Sequence, residues 1–164
     1  NPLHAIESFI RVANTLHVCH QQGVIHRALT PACIIIPRGQ QPPYEPFILH
    51  FDFARVPGQE TRVEPIKQAP EYVVYMSPEV QRNQHDATPR SDQYSLGMIM
   101  CKVLFKKTCG SPDEVRSATR GQSRLVQCVA MIIARMIEEV PANRYSDLRE
   151  VVVELQNCRT KFGA

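Results

Sequence analysis

Residues 20–36 read HQQGVIHRALTPACIII. A glycine, Gly23, closes what precedes it, as a C-terminal glycine closes a helix. Two β-branched residues then lead into His26-Arg27, and Thr30-Pro31 separates that pair from a second apolar run, Cys33–Ile36. Upstream, Ile6, Phe9, Ile10, Ala13, Leu16 and Cys19 recur at helical spacing, so residues 2–22 form an amphipathic helix. Downstream, Phe47–Phe51 is a second short β-branched and aromatic run. The intervening PRGQQPPYEP, with its four prolines and one glycine, is a hairpin-like connection longer than a tight turn.

Farther along, residues 55–76 show no clean period and contain Pro57, Pro65 and Pro70, which predicts a long irregular loop. Ser77-Pro78 starts a short helix, with proline in its first turn. Ser91 or Asp92 starts a longer one through SDQYSLGMIMCKVLF, apolar nearly all round and therefore buried. Ser111-Pro112-Asp113-Glu114 is another start signal. Leu125–Ile137 is strongly amphipathic, and a last helix from about Ser146 aligns Leu148, Val151, Val152, Leu155 and Cys158 on one face. The fold class is mainly α, with a small two-stranded β element beside the His-Arg stretch.

The bulk composition excludes several function classes. With 164 residues, 43% hydrophobic and 21% charged, the chain can bury a core and is not disordered. A net charge of +3 without a basic cluster argues against nucleic acid. No membrane span is visible; the most apolar stretch, CVAMIIARMI, is short and carries Arg135. Six scattered cysteines with no C-x-x-C pair predict no disulfide framework and a reducing, cytoplasmic compartment. Beginning at Asn rather than Met, the chain reads as an excised fragment.

Five blocks in order, HQQGVIHRALTPACIII, FILHFDFAR, YMSPEV, SDQYSLGMIM and PANRYSDLREVVVEL, resemble the C-terminal lobe of serine/threonine protein kinases, nearest to bacterial members. The resemblance covers residues 1–164 as one kinase-like C-lobe. It implies a catalytic-loop region at 24–36, a D-F-G-like motif at 52–54, an activation-loop-like segment at 55–76 and a helical subdomain at 77–160. In that family the catalytic loop is H-R-D-x-x-x-x-N, whose Asp engages the substrate hydroxyl and whose Asn holds magnesium. His26 and Arg27 match, but Ala28 stands at the Asp position, Thr30 at the phosphate-steadying Lys position and Cys33 at the Asn position. A methyl accepts no proton, and a thiol is a soft ligand poorly suited to Mg²⁺. No Asp or Glu occurs between Glu7 and Glu45 to compensate.

Asp52-Phe53-Ala54 resembles D-F-G, which makes Asp52 a vestigial magnesium position and Phe53 a packing residue, while Ala54 lacks the glycine's freedom. No glycine-rich phosphate loop is present, and the first lysine is Lys67; ATP and magnesium binding are therefore expected to be weak or absent. The resemblance also implies scaffold residues. Glu79 in SPE pairs with Arg144, Asp92 caps the long helix and accepts catalytic-loop N–H groups, and Gly97 lies in the same helix. His17, Cys19, His20 and His26 invite a metal, but packing is the expected role. Cys33 is expected to be an unreactive thiol, its pKa raised by burial. Thr61, Tyr72 and Tyr75 are phosphorylation candidates, with Arg27 as the receiver.

The resulting expectation is a catalytically inactive kinase-like lobe, not an enzyme, acting as a protein-binding, scaffolding or regulatory module. Its partner would dock on the surface an N-terminal lobe covers or on loop 55–76. The alternative is part of an atypical ATP-dependent phosphotransferase, or another nucleotide-using transferase, whose N-terminal lobe lies upstream of Asn1.

Overall fold

A computed structural model describes residues 1–59 and 70–163. Its first helix, α1 (Pro2–Gln21), is capped by the Asn1 side chain, which accepts from the Leu3 N–H, and carries proline in its first turn. Ile6, Ala13 and Leu16 are wholly buried along one face. Gly23, at φ 75°, turns the chain where an L-residue would be strained, and a side chain there would also strike Pro57.

The two apolar runs pair as expected, though over fewer residues. Strands β1 (Ile34–Ile35) and β2 (Phe47–Ile48) are antiparallel, with Ile34 opposite Ile48 and Ile35 opposite Phe47. Pro31–Cys33 and Phe51–Phe53 are 3-10 turns instead of strand. In the first, the Cys33 N–H donates to the Thr30 carbonyl at 3.0 Å and is lost to the ladder, which shortens β1 at its start. A separate bridge joins Ile25 to Arg55, exchanging hydrogen bonds of 3.0 and 2.8 Å.

Short helices α2 (Pro70–Val73) and α3 (Pro78–Arg82) precede the central helix α4 (Pro89–Phe105). Helix α4 begins earlier than Ser91 or Asp92. Thr88 and Ser91 form a reciprocal capping box around its first turn, which leaves Asp92 free for another task. Every residue from Ser91 to Cys101 is buried. Gly97 is required by close approach: a Cβ there would lie 2.8 Å from Ile137 and 3.0 Å from Met136. Gln93 clamps the Tyr145 backbone, donating to its carbonyl and accepting from its N–H.

Three helices complete the bundle: α5 (Pro112–Ala118), capped by Ser111; α6 (Arg124–Met136), capped by Ser123; and α7 (Leu148–Phe162), capped by Asp147 rather than begun at Ser146. Helix α6 packs on α4, α5 and α7, while α1 packs on α7 and α4. One large core therefore runs under the helical bundle, holding Leu96, Ile133, Met136, Leu148 and Leu155, and a small separate cluster joins Met76, Val80 and Ala87. Full burial contributes about 1.5–3 kcal/mol for each such aliphatic side chain. The mainly helical fold with its two-stranded element stands. No helix among the described residues is long and apolar enough to cross a membrane.

The expectation of unpaired cysteines is overturned at one pair. Cys128 of α6 and Cys158 of α7 form a disulfide, their Cα atoms 5.9 Å apart, whereas Cys19, Cys33, Cys101 and Cys109 are free. The partners lie 30 residues apart, so no short spacing motif marks them. Only the packing of α6 on α7 brings the two sulfurs together.

Candidate functional site

The His-Arg loop is positioned by one carboxylate from α4. Asp92, 1% exposed, accepts the His26 N–H through Oδ2 at 2.8 Å and the Arg27 N–H through Oδ1 at 2.9 Å. His20 Nε2 lies 2.8 Å from the same Oδ2, which draws the end of α1 into the network. Three contacts on one buried side chain fix the loop against the core. Arg27 takes φ 70°, sparsely populated for a non-glycine residue, and the Asp92 bonds hold it there. Its Nη2 donates to the Gln84 carbonyl at 3.2 Å, tying the loop to the segment after α3.

Within this frame the chemistry-bearing positions turn inward. Thr30 is buried, and its hydroxyl lies 3.4 Å from Cys33 Sγ, so it does not reach out toward a phosphate. Cys33, 4% exposed, places its sulfur 3.5 Å from the Ala28 carbonyl. Burial pushes the Cys33 thiol up, but hydrogen bonding with the adjacent His26 imidazole and with Thr30 outweighs it and holds the thiol below its ordinary range. This reverses the expectation of a raised value, because a raised value follows from burial without partners and Cys33 has two. Burial depresses His26, but the Cys33 contact, the Leu49 carbonyl at 3.0 Å and the Asp92 charge raise it overall.

Asp52 stands apart. Its side chain is 76% exposed and its nearest ionisable neighbour is His50, 3.9 Å away. Among the described residues no three His, Cys, Asp or Glu side chains converge on a metal position. Asp52 supplies hard oxygen, but Cys33 offers soft sulfur already engaged by its own loop, so the pair does not make a magnesium site. The histidines do not converge either: His20 serves Asp92 and His26 serves Leu49.

Phe53 departs from its expected packing role. The 3-10 turn directs Phe51 onto His26, ring centroids 4.6 Å apart, while Phe51 and Phe53 are each 37% exposed and neither is buried. Tyr75 is buried, which removes it as an accessible phosphorylation site, whereas Tyr72 is exposed. Thr61 and Lys67 lie outside the described residues.

Glu79 and Arg144 meet in the helical half. Arg144 Nη1 and Nη2 donate to the two Glu79 oxygens at 2.8 and 2.9 Å. Its remaining donors reach the carbonyls of Glu138, Arg90 and Glu139. All five guanidinium N–H groups are thereby used in a residue 1% exposed. Burial pushes the Glu79 carboxyl up, but the Arg144 hydrogen bonds and charge outweigh it and hold it below the usual carboxylate range.

Sequence reasoning missed two members of this knot. Ser91 donates to Glu79 Oε1 at 2.9 Å, and the Tyr94 ring lies under the guanidinium at 5.0 Å. The T-x-x-S spacing of Thr88 and Ser91 was the available signal for a cap. Nothing in the spacing marks Ser91 as a partner of Glu79.

The family model described as protein kinase domain matches residues 3–159. A serine/threonine-protein kinase PknB of Mycobacterium leprae is 27% identical over 167 residues, covering 94% of this chain and 26% of that protein. PknB of Mycobacterium tuberculosis is 27% identical over 168 residues with the same shares. Serine/threonine-protein kinase PknD of Protochlamydia amoebophila is 27% identical over 179 residues, covering 91% of this chain and 18% of that protein. The chain thus spans about a quarter or less of the length of these relatives.

These matches overturn the expectation that the chain is not an enzyme, since they point to a kinase enzyme. That expectation weighed three loop positions too heavily. Phosphoryl transfer leaves a protein little covalent chemistry to do, so a missing base does not by itself exclude an enzyme.

Proposed function

The chain belongs to the protein kinase domain family, and from that premise we propose that it forms the larger lobe of a serine/threonine-type phosphotransferase that works without a carboxylate base. The observation that carries this reading is the intact loop frame: Asp92 holds the His26 and Arg27 backbone, with Arg27 at φ 70°. A loop with no remaining use for its geometry gains nothing from a strained arginine.

In this reading the lobe orients a hydroxyl-bearing protein substrate beside Ala28. The Ala28 methyl takes no proton, so the hydroxyl proton passes to water or to the transferred phosphoryl group as the P–O bond forms. General base catalysis is worth about 10²–10⁴-fold, and turnover is slower by that factor than with a carboxylate at position 28. The nucleotide-holding lobe lies in the remainder of the protein, and an ATP donor goes with a cytoplasmic location. Because Asp52 and Cys33 do not complete a magnesium site, metal and nucleotide contacts come chiefly from outside this chain.

A second reading, a scaffolding or regulatory surface on the same lobe, is favoured by a separate observation. Ile35, Ile36, Phe47, Leu49, Phe51 and Phe53 are all exposed around the two-stranded element, a concentration of apolar surface that marks an interaction face.

Radiolabel transfer from ATP to a protein acceptor by the complete protein tests the first reading. Slow transfer that increases in Ala28→Asp is the expected result. Transfer that stays at background in both proteins would leave only the second reading.

A further inference from the structure

The Cys128–Cys158 disulfide presents its two sulfurs unequally. Cys158 lies in the α7 core face and is 3% exposed, whereas Cys128 is only partly buried on α6. Cys128 lines an open groove with Arg124, Gln127, Met131, Lys161 and Phe162. The ionisable groups in that lining are Arg124 and Lys161, both cationic and both exposed, and Lys161 Nζ lies 5.3 Å from the Phe162 ring. Among the described residues no acidic side chain lines the groove.

We propose that Cys128 is a site of reversible S-thiolation by a small anionic thiol, with Cys158 as the resolving cysteine. A thiol bearing carboxylates is drawn to the two cations, and its sulfur reaches Cys128 while Cys158 is covered. In the exchange the incoming thiolate attacks Cys128 Sγ, a new S–S bond forms there, and the Cys128–Cys158 bond breaks. Cys158 leaves with the electron pair and takes a proton from water. One disulfide replaces another, so no oxidant is consumed. In the reverse direction the Cys158 thiolate attacks the mixed disulfide, expels the small thiol and restores the cross-link.

The fold tolerates both states. Around the cross-link, Val129 and Ile133 of α6 and Val151 and Leu155 of α7 stay buried in the common core, so opening the bond removes a covalent tie while packing persists. In a reducing compartment a disulfide of this kind is transient and responsive rather than structural.

The test uses the complete protein purified without reductant and exposed separately to glutathione, 2-mercaptoethanol and cysteamine, whose thiolates carry net charges of about −2, −1 and 0. Opening of the disulfide is followed by alkylation and peptide mass mapping. At equal thiolate concentration, glutathione is expected to react about tenfold faster than cysteamine, the low end of electrostatic enhancement in a charged cleft, with its adduct on Cys128. An Arg124→Gln/Lys161→Gln variant loses that preference, and its rate falls less with 2-mercaptoethanol than with glutathione. Cys158→Ser exposed to glutathione disulfide retains the Cys128 adduct, because the resolving thiol is gone. Two free thiols in the protein as purified, an adduct on Cys158, or equal rates for the three reagents would each overturn the proposal.

Discussion

Two charged centres built on α4 have opposite character. At one, Glu79, Ser91, Tyr94 and Arg144 form a knot in which both carboxylate oxygens and all five guanidinium donors are engaged. At the other, Asp92 binds the backbone of His26 and Arg27, while Ala28, Thr30 and Cys33 offer nothing charged to a substrate. Charge is present where it holds geometry and absent at the loop positions Ala28, Thr30 and Cys33, with Asp52 standing alone and exposed beyond them. The first centre therefore bears on stability, and the second is where the proposed transfer would be tested.

The sharpest way to break this contrast is to put charge back into the loop. Ala28→Asp in the complete protein should raise the initial rate of phosphoryl transfer by about 10²–10⁴-fold, with melting temperature changed little. An unchanged rate would mean that the frame held by Asp92 does not present position 28 to a substrate.

Breaking the knot should act on stability instead. Arg144→Ala leaves Glu79 buried without its cation, which costs roughly 3–5 kcal/mol and lowers the melting temperature by about 10 °C. Thermal unfolding reads this directly. A loss under 1 kcal/mol would mean the pair behaves like an exposed one.

Acid titrates the same contact. The Glu79 carboxyl is held below its ordinary range in the folded chain, so its contribution is complete above the unfolded value of about 4.3. It is lost as pH falls through the lower folded value. Denaturant unfolding from pH 6 down to pH 3, compared between wild type and Glu79→Gln, should show the two stabilities converging at the acid end.

Gly97→Ala sharpens the comparison least. The added methyl meets Ile137 and Met136 at 2.8 and 3.0 Å, and overpacking of roughly 1–3 kcal/mol is offset by about 1 kcal/mol of helix propensity. A net loss of about 1 kcal/mol in chemical denaturation, with no effect on transfer rate, is expected.

Periodicity made most of the helices legible. The stripes of α1, α6 and α7 follow from apolar residues recurring at helical spacing, and the local start signals at Ser77 and Ser111 needed no tertiary information. Helix starts were less legible where two capping residues compete: Thr88 with Ser91 begins α4 earlier than Asp92 alone suggests. The site was readable where family motifs name residues, as for Glu79 with Arg144. It was unreadable where a partner is chosen by packing, as for Ser91 and Tyr94. The missing acid at Ala28 does not remove the chain from the family, whose match extends over residues 3–159.

By itself, the sequence determined a mainly helical lobe, the pairing of two short strands, and a His-Arg loop with no acid at Ala28, because these depend on local propensity and on side-chain chemistry. Tertiary structure alone decided that Cys33 has its thiol lowered by His26 and Thr30, that Phe51 rather than Phe53 covers His26, and that Cys128 and Cys158 are joined. Each of these depends on which residues are neighbours across helices or turns. Distances of that kind are set by packing of the whole core, and no local pattern encodes them.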